Sequence, residues 1–457
     1  MVSQKMQIVD APWLEKQAQR VRKADYIDPV LYRKYGVKRG LRNENGSGVL
    51  VGLTTIGNVH GYVMSEGERM AVPGELYYRG INVRDIVQAD KREHRFGYEE
   101  TAYLLLFGEL PTARELADWK SKIGLYRRLS DGFKENAIMK HPPKDLMNAL
   151  ARAVLFAYAY DPDDTPDDLS LEKCLEQSMD MIGSIPTIAA YAYQAKAHYH
   201  DGASLMIRNP DPKLSTAENI LMLTREDGKF TRLEAETLDL ALILHAEHGG
   251  GNNSSFTTHV VTSAHSDIYS SVAASILSLK GSRHGGANLR VMRQMDEIKE
   301  KVKGWRKADE LKKYLCKIAD KKAGDRTGLI YGLGHAVYTI SDPRAQLLKS
   351  KAEALAKEKG RQDEMRLFER IEELGPAIIR SRHPHAEDVC ANVDLYSGFV
   401  YDMLGLPREL YTPLFAIARC VSWCAHRMEE LVNGGPIIRP AYKPLIRPRQ
   451  YVKLADR

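Results

Sequence analysis

The sequence predicts a mainly α-helical fold with a small β-hairpin region near its N-terminus, and three observations carry that expectation. Apolar residues recur at helical spacing through nearly all of the chain after Tyr78. Alternation of β-branched residues with glycines is confined to 49–78. Glycines fall where helical stretches should stop, as at Gly249-Gly250-Gly251 and Gly281. With 457 residues, 28% charged and 44% hydrophobic, the chain is long enough for two domains and can bury a large core.

The elements follow in order. Residues 1–48 are polar and charged and read as a helical or irregular arm without visible chemistry. VLVGLTTIGNVHGYV and MAVPGELYY predict one or two hairpins, with Pro73-Gly74 as a turn. DPDDTPDD, 161–168, reads as an acidic loop. From Leu233 to Leu244, Leu238, Leu242 and His245 share one helical face, and Leu240, Leu244 and His248 an adjoining one. Val261, Ala264, Ile268, Val272, Ile276 and Leu279 space one long helix ending before His284. Another periodic stretch starts at Met292, and charge density stays high to about Arg382. This sets a smaller domain at 292–404, between a large helical domain at 49–291 and its return at 405–457. The last long helix, Pro413 to Val432, has its core stripe at Leu414, Ala418, Val421, Ala425 and Met428, with Arg419 off it.

Composition excludes several classes. Five scattered cysteines do not make a disulfide framework and suit a reducing compartment. No run approaches the ~18 apolar residues of a membrane span, and the N-terminus lacks an apolar targeting core. A soluble, cytoplasmic protein is expected. The net charge of +6 suits anionic small molecules as readily as nucleic acid, but no aromatic-interleaved basic motif supports the latter.

Chemistry concentrates in HAEHGGGNNSSFTTH (245–259) and RHGGAN (283–288). A metal reading would use His245, His248 and His259, but the H-E-x-x-H order and any nearby cysteine cluster are missing, so no metal site is expected. His245 reads as a core histidine. His248 and His284 instead stand beside glycines, where backbone and imidazole can approach a ligand and a following helix start can offer N–H donors to an anion. YGLGHAVYTISDPRA sets His335 among glycines of its own. Val337 stands where a dinucleotide fingerprint needs its third glycine, which removes that reading. Asp342 should cap a helix with Pro343 at its first position. Arg344 then falls in the first turn, where the helix dipole disfavours a cation and an anionic partner would explain it. Asp394, in ANVDLYSG, has the position of a helix cap. Cys420 and Cys424 read as packing, and Arg447 and Arg449 as a basic tail.

In order and spacing, HAEHGGGN, RHGGAN, GHAV followed by DPR, NVDLYSG, PLFAIAR and IRPRQ resemble the motif series of citrate synthases, over about 48–449. That resemblance implies a two-domain helical fold that closes over oxaloacetate before acetyl-CoA binds. It implies that His284 hydrogen-bonds the thioester carbonyl of acetyl-CoA, Asp394 is the general base, and His335 polarises the oxaloacetate carbonyl. His248, Arg344, Arg419 and Arg447 would hold oxaloacetate, Arg447 reaching in from the second subunit of a homodimer. No cofactor is implied, since the CoA thioester is a substrate. Propionyl-CoA is the alternative, giving a 2-methylcitrate synthase, because one methylene is worth only ~1–3 kcal/mol of discrimination. Two positions depart from the family pattern. Thr339 stands where many relatives place a cation for CoA phosphate, and Arg283 replaces an apolar residue.

Overall fold

A computed structural model describes residues 10–43, 46–65, 68–383 and 388–457. The chain forms two compact units, 1–52 and 53–457. In the first, α1 (Ala11–Ala24) is capped by Asp10 and α2 (Pro29–Lys34) by Asp28, and neither helix buries a residue.

The second unit opens with the chain's one sheet among the described residues, an antiparallel array of β1 (Gly57–Ser65), β2 (Glu68–Tyr78) and β3 (Ile81–Asn82) in that order. The expected hairpin is present, but Pro73-Gly74 is not its turn. The pair lies inside β2, opposite a register shift of β1 between His60 and Tyr62, and Gly74 N–H donates to Ser341 Oγ at 3.1 Å. Proline has no N–H for a ladder, and the irregularity removes the need for one there.

Helices make the rest. In chain order they are α3 (Val83–Glu93), α4 (Tyr98–Phe107), α5 (Ala113–Tyr126), α6 (Leu146–Ala157), α7 (Leu171–Asp201), α8 (Thr216–Thr224) and α9 (Arg232–His245). After them come α10 (Asn253–Thr262), α11 (Ile268–Lys280), α12 (Ala287–Lys301), α13 (Ala308–Ala319), α14 (Pro343–Glu358), α15 (Gln362–Arg382), α16 (Val393–Met403) and α17 (Tyr411–Asn433). The stripe read as one helix from Val261 is two. His265 takes a left-handed φ of 60° and Asp267 caps α11 by accepting from Ser270 N–H at 2.7 Å. That local side-chain bond competes with helix continuation and wins.

α17 is the hub, packing on α4, α7, α9, α10 and α11. Its expected core stripe is buried, but so are Arg419, Cys420, Trp423, Cys424, His426 and Arg427. The helix is therefore surrounded through most of its length, and an off-stripe position is still interior. Each fully buried Leu or Ile at this junction contributes roughly 1.5–3 kcal/mol, so the polar side chains among them sit in a rigid frame. Cys420 and Cys424 are free thiols within it. No helix among the described residues is long and apolar enough to cross a membrane.

Candidate active site

A short loop, 331–342, brings His335 to the N-terminus of α16. Gly334 N–H donates to Cys390 O (2.8 Å), Asn392 N–H to Gly332 O (2.9 Å) and Asn392 Nδ2 to Gly334 O (2.8 Å). Gly332, at φ +88°, lies so close to α16 that a Cβ there would fall 2.7 Å from Leu395 Cδ1. His335 Nδ1 accepts from both Val337 and Tyr338 N–H, each at 3.1 Å. In the neutral ring the proton is therefore on Nε2, which turns that nitrogen into a donor.

Two more donors face the same space. The Nη2 of Arg344 lies 3.5 Å from His335 Nε2, and the His248 ring stands 5.0 Å from His335, edge to face. His248 is not on α9, which ends at His245. Its ring lies just beyond, with Nε2 buried and without a hydrogen-bond partner. Burial, then the neighbouring Arg344, His335 and Arg419, keep its basicity well below that of an ordinary histidine, so it is neutral.

The anionic partner expected for Arg344 is close at hand. Asp342 caps α14 as predicted, and its two oxygens take Arg344 Nε at 3.0 Å and Nη2 at 2.7 Å. Burial opposes the charge on both groups, but each holds its partner ionised: Asp342 is lowered and Arg344 raised. Arg419 has no carboxylate in hydrogen-bonding contact, and the buried Glu247 nearby offsets only part of the cost of burial. The arginine is 0% exposed, its Nε donates to His245 O at 2.8 Å, and both Nη1 and Nη2 are buried without partners. Burial presses its pKa down from 12.5 to about 10. A fully buried guanidinium with its fork unpaired is complementary to a carboxylate that enters from outside.

His284 and Asp394 flank this pocket. His284 lies in the turn before α12, whose first N–H groups have no side-chain cap; the start of α10, by contrast, is closed by Asn252. The helix start beside His284 thus keeps its N–H donors uncapped, whereas Asn252 takes one of those near His248. Burial, then Arg419, lowers the His284 pKa to about 4, so its ring is neutral. Its Nε2 is 3.3 Å from Ser254 Oγ, which accepts from Trp423 Nε1 at 3.2 Å and donates to Asn252 Oδ1 at 2.8 Å. Asp394 is not the cap of α16. Asn392 takes that role, accepting from Asp394 N–H at 3.1 Å, so the Asp394 carboxylate is left for other work. Gly398 lets α16 approach α12 closely, since a Cβ there would lie 2.7 Å from Met292 Cγ. Burial raises the Asp394 pKa to about 6, against the pull of Arg344.

Comparisons with known proteins give the family. The family described as "Citrate synthase, C-terminal domain" matches residues 45–441. The chain belongs to the citrate synthase family. It is 34% identical to a citrate synthase of Haloferax volcanii over 80% of this chain and 88% of that one. It is 31% identical to a 2-methylcitrate synthase of Shewanella oneidensis over 84% and 92%. Its fold is similar to that of the citrate synthase of Thermoplasma acidophilum, solved as a ternary complex with carboxymethyl coenzyme A and oxaloacetate (TM-score 0.75, 28% identity, 92% and 99% covered).

Within this citrate synthase fold, six of the seven site residues read from the sequence form one linked cluster: His335 contacts His248 and Arg344, the charge of Arg344 acts on Asp394, and that of Arg419 on His248 and His284. Arg447 does not join them within the chain. It is exposed in the extended segment after α17. Arg283 is exposed, while Thr339 is buried with its hydroxyl unpaired. Asp342, Ser254 and Trp423 were missed as site residues: Asp342 read as a cap, which it also is, and Trp423 was not singled out. Ser254 carried no signal beyond following HGGGN.

Proposed function

We propose that this chain condenses acetyl-CoA with oxaloacetate and water to give citrate and CoA. The observation that supports it best is Arg419, a fully buried guanidinium with two unpaired nitrogens, beside His248, His335 and Arg344. Oxaloacetate brings two carboxylates for the arginines and a ketone oxygen for the His335 Nε2 donor.

Asp394 removes a methyl proton from acetyl-CoA while His284 donates to the thioester oxygen, so the enolate never carries a full unshielded charge. For the other ring nitrogen of His284 to carry the proton that meets that oxygen, the Ser254 hydroxyl hydrogen turns from Asn252 Oδ1, its acceptor at 2.8 Å, to His284 Nε2. The methyl carbon then bonds to the polarised ketone carbon, and the ketone oxygen takes up a proton, forming citryl-CoA. Water cleaves the thioester and CoA leaves as the thiol. The smaller domain expected from the sequence at 292–404 would close over oxaloacetate and exclude water before the thioester arrives. An exposed Arg447, on a segment that leaves the helical body, supports a homodimer in which this residue completes the partner's site. Free thiols at all five cysteines support a reducing, cytoplasmic setting.

Use of propionyl-CoA is the second reading, favoured by the relative named 2-methylcitrate synthase. A thiol-release assay with oxaloacetate and each acyl-CoA separates the two. Faster release from acetyl-CoA supports the first reading, faster release from propionyl-CoA the second, and release from neither overturns both.

A further inference from the structure

Behind the pocket, His259 of α10 meets His426 and Glu429 of α17. His259 Nε2 and His426 Nδ1 face one another at 3.2 Å, and Glu429 Oε2 lies 3.8 Å from His426 Nδ1. The three ligand atoms all fall within 4.8 Å of one another, the one such trio among the described residues. Each histidine is held from behind by a carboxylate. Glu430 Oε2 is 2.8 Å from His259 Nδ1, and Glu247 is 3.2–3.3 Å from His426 Nε2. Those carboxylates can hold the outer ring protons while a metal replaces the hydrogen shared between the facing nitrogens, which is how metal-bound histidines are oriented. The Glu429 side chain is 10% exposed, and its Oε1 is taken by Thr55 N–H and Oγ1 while Oε2 is buried without a hydrogen-bond partner.

We propose that His259, His426 and Glu429 bind a divalent transition metal of the zinc class. Zinc–nitrogen bonds of ~2.0–2.1 Å in tetrahedral array separate two ligand nitrogens by ~3.3 Å, close to the spacing present. Only Glu429 must move inward, by a side-chain adjustment. Gly250 lies against both rings, where even a Cβ would be 3.5 Å from His259 Nε2, so no side chain crowds the facing nitrogens from that side. His259 and Glu430 are partly exposed and give an entry path, whereas His426 is closed off. The ion ties α10 to α17 and, through His426, fixes Glu247, one residue before His248. The sequence hid the site because its two histidines stand 167 residues apart. It is separate from the substrate pocket and does not depend on the condensation reading.

The test uses the untagged full chain, stripped with a chelator and titrated with Zn2+ and with Co2+. One metal per chain, visible bands of four-coordinate Co2+, and a rise in Tm on Zn2+ addition are expected. His259→Ala should remove all three, and Glu430→Gln should keep the stoichiometry but weaken affinity about 10–100-fold. If His259→Ala fails to fold by circular dichroism, Glu430→Gln decides alone. No stoichiometric metal in the wild type, or affinity unchanged in the decisive variant, overturns the proposal.

Discussion

Replacing Arg419 by methionine isolates the contribution of the buried, half-paired guanidinium. In the ligand-free protein its pKa drop from 12.5 to about 10 is equivalent to roughly 3 kcal/mol held against the charged form. Methionine removes that penalty. It also strands the His245 carbonyl, at about 1–3 kcal/mol, and removes the guanidinium from the Phe415 ring 5.0 Å away, about 1 kcal/mol. These offset, so Arg419→Met should unfold within about 2 kcal/mol of wild type in a urea titration. Binding should behave differently. Two charge-assisted hydrogen bonds at about 1.5–3 kcal/mol each imply roughly 10²- to 10⁴-fold weaker oxaloacetate. Oxaloacetate at about 100 times its wild-type Kd should stabilise the wild type by about 2.7 kcal/mol and the variant hardly at all. A variant destabilised by more than about 4 kcal/mol that still binds oxaloacetate within about threefold of wild type would refute the idea that Arg419 is kept for a ligand rather than for the fold.

Other expectations can be checked in parallel. Because burial raises the Asp394 pKa to about 6, turnover should fall as pH drops through 6 and the base takes up its proton, a profile that kcat/KM for acetyl-CoA would report. A carboxyl raised above its unfolded ~3.9 destabilises the fold above pH 6, and the penalty is relieved as pH falls toward 4. Asp394→Asn should therefore abolish turnover yet match or exceed wild-type stability at pH 8 by up to about 3 kcal/mol; lost stability would contradict the buried, unpaired carboxylate. Ser254→Ala should lower kcat about 10- to 100-fold with oxaloacetate binding intact, since of the three side chains its hydroxyl meets, His284, Trp423 and Asn252, only His284 is assigned to the thioester; an effect confined to KM would remove that role. Arg447→Ala and Asp394→Asn homodimers should each be inactive, but refolded together they should regain about a quarter of wild-type activity through mixed dimers. No recovery would count against a shared arginine.

The helical class was legible because periodicity survives wherever one helix face meets the core, as in α9 and α12. It failed where a local side chain overrules the pattern. Asp267 stops a helix in the middle of an unbroken apolar stripe, and β2 absorbs Pro73-Gly74 through a register shift. The site histidines were legible from glycines beside them and from motif order, and Asp342 and Pro343 announced a helix start that the structure contains. Arg344 pointed to an anion, but sequence spacing does not reveal that a cap two residues back can fold round and grip it. Arg419 looked peripheral to its stripe, since a helix surrounded on nearly every side has no solvent face for the pattern to mark. Ser254 and Trp423 became site residues only through contacts 30 and 169 residues apart.

The most direct test of the account is the rate of CoA thiol release from acetyl-CoA with and without oxaloacetate, in wild type and in Asp394→Asn. The account predicts release in the wild type that requires oxaloacetate and yields citrate, and none in the variant. Release without oxaloacetate, or release that persists in Asp394→Asn, would contradict condensation by this pocket.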